Sequence, residues 1–330
     1  MSAFKILQAQ VFLLLVFGLS SCGNRPAAFD FTGVQLERAP GVNAETGAEG
    51  LWIATSDYRS NGWLTRLDLA TGQLERRIRA VGADIYLAPD SAQSFFLLTR
   101  GGVDSIESFS GREARLEASF PLAKLSNPQF AARDSRGRVW VTTMQSNIVE
   151  VLSSDLRTRV GGVDISPLAD DHDRLAEPYG IIRAGLGRMA VVAARLERTP
   201  THWRPNPRAG IALLGEESLR MEDSRLLSVA NALHIFSPMP GFLAVLGMGS
   251  QDATYALSGG LEIIGPQQGL RAVETRAFTS RVVAGAMASD GTLATIEWSP
   301  EEGRSCLRYG YRELFCEGGA NGFIFSNLAI

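Results

Sequence analysis

A turn followed by a β-rich run recurs six times along the 330-residue chain, and this repeat constrains the fold more than any other feature. The six segments are 44–55, 88–99, 132–143, 182–193, 237–247 and 288–298. From Trp52, Leu97, Trp140, Val191, Ala244 and Ala294, the successive spacings are 45, 43, 51, 53 and 50 residues. A four-stranded propeller blade takes about 40–50 residues. The repeat therefore predicts an all-β fold, a β-propeller of six blades over residues 46–330.

The apolar runs inside the repeats favour strands that are buried on both faces. Residues 139–141 and 190–192 are continuous apolar triplets, which suit strands packed between neighbouring blades. A pair of β-sandwiches or a β-helix is the alternative architecture. In a six-bladed ring we expect residues 322–330 to lie beside the first blade. Seven blades are possible if residues 29–40 and the C-terminal strand build another blade together.

The N-terminus has the pattern of an export signal. An apolar run from Val11 to Leu19 follows a short segment whose one basic side chain is Lys5. A transmembrane helix needs about 20 apolar residues, so this run is too short to span a bilayer. The run closes with the letters LSSC, which end at Cys22.

This ending resembles the lipobox of bacterial lipoproteins. The resemblance implies that the Cys22 thiol is acylated, that residues 1–21 are a signal peptide and that residues 22–45 are a lipidated tether. Acyl chains on Cys22 would anchor the protein in a lipid bilayer without a transmembrane helix. We therefore expect a location in the bacterial cell envelope, and the lack of aspartate at position 23 favours the outer membrane. A plain signal peptide with an incidental cysteine is the alternative.

Composition indicates a folded body that does not bind nucleic acid. Hydrophobic residues make up 45% of the chain and charged residues 20%, which is enough for a sizeable core. The net charge is −3, and the sequence has no run of basic residues. The electrostatic pattern of a nucleic-acid-binding protein is therefore missing from the sequence.

Two cysteines remain if Cys22 is acylated. Cys306 and Cys316 flank the segment CLRYGYRELFC, whose alternating arms and central Gly310 predict a β-hairpin. An even pair of cysteines in an oxidising compartment favours a local disulfide, and two free thiols are the alternative.

The repeats resemble the YVTN, NHL and gluconolactonase-like superfamily of β-propellers. The likeness is carried by GLWIAT, GWLTRLDLATGQL and NPQFAARDSRGRVWVTTMQSNIVEVL, and more narrowly by residues 163–214. Gluconolactonase-like members hold a divalent cation at the mouth of the central channel with Glu, Asn and Asp ligands. The resemblance implies Glu49 and Asn127 as metal ligands, although Pro128 stands where an aspartate usually follows. Glu49 also suits a surface turn, and Asn127 a turn before proline.

Residues 164–177 form the most polar cluster of the sequence and include Asp171, His172 and Asp173. Oxygen ligands at short spacing suit Ca²⁺, but the order of an EF-hand is missing. We therefore expect a solvated loop between blades and no resident cofactor, with Ca²⁺ or another divalent cation as the alternative.

The fourth repeat is lengthened by an insertion over residues 195–207, RLERTPTHWRPNP. Trp203, with Arg195 and Arg204 nearby, has the composition of an interface anchor. Trp203 also suits the cover of a blade end. Together with the polar cluster, the insertion predicts a partner-binding surface.

The sequence leaves two classes of function open. The first is a non-catalytic binding or scaffold module that docks a protein or glycan partner in the cell envelope. The second is a metal-dependent hydrolase of the lactonase type. We favour the first class because the sequence has no HExxH helix and no GxSxG elbow, although repeat motifs specify a fold rather than an activity.

Overall fold

The computed structural model describes most of the chain between residues 50 and 318 as β-strands joined by turns. The described ranges are 50–56, 62–68, 73–82, 84–91, 94–111, 113–198, 203–237, 241–249, 259–266, 269–277, 281–287, 293–299, 304–309 and 312–318. Cys22, Glu49, residues 29–40 and residues 322–330 lie outside them, so the predictions on those residues remain predictions.

The strands form six successive antiparallel sheets, which we name blades 1 to 6. Blade 1 contains β1 (Gly50–Ser56), β2 (Gly62–Asp68) and β3 (Leu74–Val81). Blade 2 contains β4 (Asp84–Ser91), β5 (Ser94–Arg100), β6 (Ser105–Ser110) and β7 (Arg115–Pro121). Blade 3 contains β8 (Pro128–Arg133), β9 (Val139–Thr143), β10 (Ile148–Leu152) and β11 (Arg159–Asp164).

Blade 4 is interrupted by a two-stranded ribbon. Its sheet contains β12 (Pro178–Gly185), β13 (Arg188–Ala193), β16 (Gly210–Gly215) and β17 (Met221–Leu226), and the ribbon is β14 (Leu196–Arg198) with β15 (Trp203–Pro205). Blade 5 contains β18 (Ala232–Phe236), β19 (Leu243–Gly247), β20 (Gly260–Gly265) and β21 (Arg271–Ala277). Blade 6 contains β22 (Arg281–Met287), β23 (Leu293–Ser299), β24 (Arg304–Tyr309) and β25 (Arg312–Gly318). A 3₁₀ turn, Ser166–Leu168, precedes blade 4.

The first strands of neighbouring blades pack against one another along the axis of the molecule. Strand β4 contacts β8, β8 contacts β12, β12 contacts β18, and β18 contacts β22. Successive four-stranded meanders whose first strands adjoin in this way are the architecture of a β-propeller. The fold predicted from the repeats is therefore confirmed, with six sheets in the described part of the chain.

The first described strand of blade 1, β1, takes the position that the second strand takes in the other blades. In the later blades the second strand contacts the first strand of the next blade, as β5 contacts β8 and β9 contacts β12. Strand β1 contacts β4 in the same way. Among the described residues, blade 1 therefore has three strands and none in the first position.

Apolar side chains between blades form the core. Trp140 is fully buried with Val151, Val191 and Leu214 in the layer between blades 3 and 4. The two apolar triplets of the sequence, 139–141 and 190–192, are wholly buried as predicted. Packing on both faces explains why these strands do not alternate between apolar and polar residues.

The hairpin predicted around Gly310 is confirmed by β24 and β25. Their register places Cys306 directly opposite Cys316, and the Cys306 side chain is buried. Opposed residues of an antiparallel pair have Cα atoms about 4.5–5.5 Å apart, which lies within the range that a disulfide requires. The geometry favours the predicted bond, which stays a prediction. Among the described residues, no helix has the length and apolar character needed to cross a bilayer.

Candidate functional site

One face of the propeller is formed by two kinds of turn, those that precede first strands and those that follow second strands. In blades 3, 4 and 5 these turns are joined by the same backbone hydrogen bond, from the residue after the second strand to the residue before the first strand. The donor and acceptor pairs are Met144 and Asn127 (3.0 Å), Ala194 and Glu177 (3.1 Å), and Met248 and Asn231 (3.0 Å). We name this side of the molecule the loop face.

Blade 4 carries two long segments on the loop face, residues 170–177 and residues 195–207, which we name the blade 4 loop pair. Of these, residues 199–202 lie outside the described ranges. The two segments are joined by carboxylates of the first one. Asp170 accepts a hydrogen bond from the Asn206 side chain at 2.6 Å, and Asp173 accepts one from the Arg198 backbone at 3.2 Å.

The same carboxylates also fold their own segment. The second oxygen of Asp170 accepts from the backbone N–H of His172 at 2.7 Å, and that of Asp173 accepts from Leu175 at 2.9 Å. Both carboxylates therefore face backbone and side-chain donors of the loop pair. This arrangement stabilises the two segments.

Arg195 joins the loop pair from within. Its side chain is only 8% exposed, and its guanidinium donates to the carbonyl oxygens of Leu168 at 2.9 Å and Arg208 at 2.8 Å. Arg195 was predicted to contact a partner. The structure gives it a positioning role, because it donates to residues that flank the two segments, and the predicted partner contact stays a prediction.

The exposed side chains of the loop pair carry both signs of charge. Asp171 and His172 are exposed, and His172 lies 3.9 Å from Glu197. Arg204 is also exposed and lies 3.5 Å from the same carboxylate. Trp203 belongs to β15, where its backbone pairs with Arg198, but its side chain lies outside the described part of the structure. Of the predicted partner-binding residues, Asp171, His172 and Arg204 thus lie exposed on the loop pair.

A cavity of about 590 Å³ lies beside this surface. Asn147, Ser166, Asp170, Asp171 and Arg174 contribute to its lining. Asn147 fixes its wall, because its side chain accepts from the backbone of Ala176 at 2.8 Å and donates to the Arg174 carbonyl at 2.9 Å. The cavity is therefore polar and is walled by residues of blades 3 and 4.

Glu177 departs from the expectation of a solvated loop. Its side chain is completely buried, one carboxylate oxygen accepts from the backbone N–H of Leu196, and the other has no hydrogen-bond partner in the structure. Burial raises the pKa of Glu177 from 4.5 to about 8, and the negative charges of Asp173 and Asp170 add to this rise. The Leu196 bond and Arg195 act in the opposite direction. Asp171 and His172 meet the expectation of a solvated loop, whereas Glu177 and Asp170 are buried.

Asn127 lies on the loop face but apart from the loop pair. Its side-chain oxygen accepts from Gln129 at 2.8 Å, and the Gln129 oxygen accepts from Arg100 at 2.9 Å. A guanidinium in this network repels a divalent cation. Within the described ranges, no group of three or more His, Cys, Asp or Glu side chains is placed to hold a metal ion. The Asp104 carboxylate also accepts from the Asn127 backbone N–H at 2.7 Å, and the metal role implied by the resemblance stays a prediction.

Asn127, Glu177 and Asn231 occupy equivalent positions before the first strands of their blades, which was not predicted from the sequence. All three residues have a positive φ, of 55°, 51° and 51°. A signal was present, because each precedes Pro or Ala at the start of a first strand. Asparagine tolerates this backbone conformation better than most residues do, and glutamate has no such advantage.

The sheets and the loop face together define the protein as a β-propeller. No protein-family model and no curated protein sequence matches the chain. Solved structures match it in fold. The chain is similar to a protein from Lactobacillus plantarum, with a TM-score of 0.57 and 13% identity over 84% of this chain and 98% of that one.

Two further structures show the same fold. The β-propeller domain of Cps50 (Swd1) from Myceliophteria thermophila aligns with a TM-score of 0.57 and 8% identity, covering 83% of this chain and 84% of that domain. A chain of the nidogen/laminin complex aligns with a TM-score of 0.52 and 14% identity, covering 85% and 97%. At these identities the likeness concerns the fold alone.

Proposed function

We propose that this protein is a lipid-anchored lipoprotein of the bacterial cell envelope whose β-propeller acts as a non-catalytic docking module for a protein partner. The anchor rests on the lipobox that ends at Cys22. The docking role rests on the blade 4 loop pair, where Asp171, His172 and Arg204 are exposed. A fold that is shared by proteins of many activities does not specify a function, so the proposal rests on the residues of the site.

The observation that carries the docking role is the fixed shape of the loop pair. Arg195, Asp170 and Asn206 hold the two segments together from the inside. The charged side chains of Asp171, His172 and Arg204 are exposed to solvent. A preorganised surface loses little conformational entropy when a partner binds. Mixed charges favour a partner whose surface carries complementary charges, since such pairs steer association and set specificity.

The hydrolase alternative has weaker support. Its candidate ligand Asn127 is bonded to Gln129, and Gln129 is bonded to Arg100, which is itself paired with Asp84 at 2.7 Å. The side-chain oxygen of Asn127 thus already accepts a hydrogen bond within the protein. A docking role requires nothing of Asn127 beyond its place in a turn.

Native mass spectrometry of the full-length protein, taken from its own membranes in mild detergent, tests the proposal. We expect a stoichiometric protein partner that is lost from the H172E/R204E variant. Arg115→Glu is the matched control, because Arg115 is exposed on β7, away from the loop pair. A partner retained by H172E/R204E would contradict the docking surface. A bound divalent metal without a protein partner would support the hydrolase instead.

A further inference from the structure

A second polar groove lies between blades 2 and 3, away from the loop pair. Its cavity has a volume of about 800 Å³. Strand β7 forms one side, and the turn between β10 and β11, residues 153–158, forms the other. Small-molecule sites in proteins commonly measure about 300–1,000 Å³, so the groove has room for a ligand of several rings.

Serine hydroxyls are the commonest side chains of this groove. The five serines of the lining are Ser94, Ser108, Ser110, Ser119 and Ser154. A hydroxyl both donates and accepts hydrogen bonds, so a row of serines can match a ligand that itself carries many hydroxyl groups.

The charges of the lining nearly cancel. Asp90, Glu117 and Asp155 contribute three carboxylates, and Arg133 and Arg157 contribute two guanidinium groups. A polyanion would meet more negative than positive charge here, which disfavours phosphorylated or strongly acidic ligands. Carboxylates and guanidinium groups in this balance can accept from and donate to neutral hydroxyls.

The floor of the groove is rigid. Asp90 accepts from Arg133 at 2.8 Å and from Ser94 at 2.9 Å. Arg133 also donates to the carbonyl oxygens of Gly137 and Ser154, each at 2.9 Å, and its guanidinium lies 5.1 Å from the centre of the Phe96 ring. Because these groups are already fixed, a ligand would bind without reordering them.

Apolar surface completes the lining. Phe120 and Ala118 are half-buried, and Pro121 at the end of β7 is exposed. The C–H faces of a sugar ring can pack on such surfaces while its hydroxyls meet the serines. The groove thus combines hydroxyls, balanced charges and apolar surface along one strand.

We propose that the groove between blades 2 and 3 binds a neutral oligosaccharide. The ligand lies along β7, with its hydroxyls facing the serines and carboxylates and its ring faces on Phe120 and Ala118, which share one face of the strand. This site is separate from the blade 4 loop pair and does not depend on the protein partner proposed above.

Titration calorimetry of the detergent-solubilised full-length protein tests the site, with maltotriose and triacetylchitotriose as neutral probes and trigalacturonate as the anionic probe. We expect one neutral trisaccharide to bind and trigalacturonate to bind at least about tenfold more weakly. Ser110→Trp should fill the groove and weaken neutral binding by about tenfold or more, because the Ser110 hydroxyl faces Glu117 of the lining. Thr275→Trp is the control, because Thr275 is a hydroxyl residue on β21, outside the lining.

Three results would overturn the proposal. The first is the absence of saturable binding of either neutral probe at about 10 mM, a concentration above the millimolar constants of weak sites. The second is neutral binding that Ser110→Trp leaves unchanged, and the third is tighter binding of trigalacturonate. If the Ser110→Trp variant fails to fold, Arg157→Ala is the second test, because Arg157 is exposed and its loss should weaken binding without disturbing the core.

Discussion

Glu177 of blade 4 and Asn231 of blade 5 occupy the same position in their blades. Each has a φ of 51°, and the carbonyl of each accepts a hydrogen bond from the residue that follows the second strand. Both side chains are buried, and each has one oxygen without a hydrogen-bond partner. Only Glu177 can ionise, so this position makes the stability of blade 4 depend on pH.

Stability should fall as pH rises from 4.5 to about 8, because folded Glu177 keeps a proton that the unfolded chain releases. Above pH 8 the folded group is also ionised, so this contribution to the slope ends. Glu177→Gln should remove a slope of up to roughly 1.4 kcal/mol per pH unit and be more stable than the native protein at pH 9. Urea unfolding measured across this pH range is the test.

The control for this prediction is Glu217→Gln, since the Glu217 side chain is 76% exposed. That variant should keep the slope of the native protein. A Glu177→Gln variant with an unchanged slope would show that Glu177 does not hold the proton.

Arg195 should be a major source of stability in the loop pair. Replacing it by Met leaves the buried carbonyl of Leu168 and the carbonyl of Arg208 without this donor, which should lower the free energy of unfolding by about 2–4 kcal/mol. The same change at Arg204, which is exposed, should cost less than about 1 kcal/mol. Denaturant unfolding compares the two variants, and equal losses would mean that Arg195 does not hold the loops.

Asp134 should stabilise blade 3. Its buried carboxylate accepts from the indole N–H of Trp140 at 2.9 Å and from the Arg138 side chain at 2.7 Å. Asp134→Leu removes both acceptors and should lower the free energy of unfolding by about 3 kcal/mol or more. Asp155→Leu, in the exposed turn of the same blade, is the control variant. Thermal unfolding compares the stability of the two variants.

Cys22→Ala should release the protein from membranes, because the acyl chains are its proposed anchor. Fractionation of cells with and without detergent measures this change. Cys306→Ala, which leaves the lipobox intact, should remain with the membranes. If Cys22→Ala still requires detergent for extraction, the anchor lies elsewhere.

A bond between Cys306 and Cys316 should protect both thiols from alkylation in the unreduced, denatured protein. Mass analysis should therefore find both sites modified only after reduction. The bond closes a short loop and should stabilise blade 6 by about 2–3 kcal/mol. Free alkylation of both thiols before reduction would contradict it.

The strands could be predicted from the sequence because each blade requires an apolar run at the same place in its repeat. Leu97, Trp140, Val191, Ala244 and Ala294 lie in the second strand of their blades, and Trp52 lies in β1, which contacts the next blade as a second strand does. Every second strand packs between two blades, so each repeat needs an apolar run at the same place. The same requirement explains why the apolar triplets 139–141 and 190–192 are buried.

The interior of the loop pair was less predictable. The sequence grouped Asp170 and Glu177 with the solvated residues, because their neighbours Asp171 and His172 are polar. Their burial depends on the insertion, which brings Asn206 onto Asp170 and Leu196 onto Glu177. Such contacts between residues that are far apart in the chain leave no periodic signal.

The support and the contact surface of the loop pair are made by different residues. Arg195, Asp170 and Asn206 face one another, whereas the side chains of Asp171, His172 and Arg204 are exposed. Exposed positions of this kind can change at a cost of about 0.5 kcal/mol or less. Partner specificity can therefore evolve, or be engineered, by substitutions at the surface while the propeller and the inner contacts stay as they are.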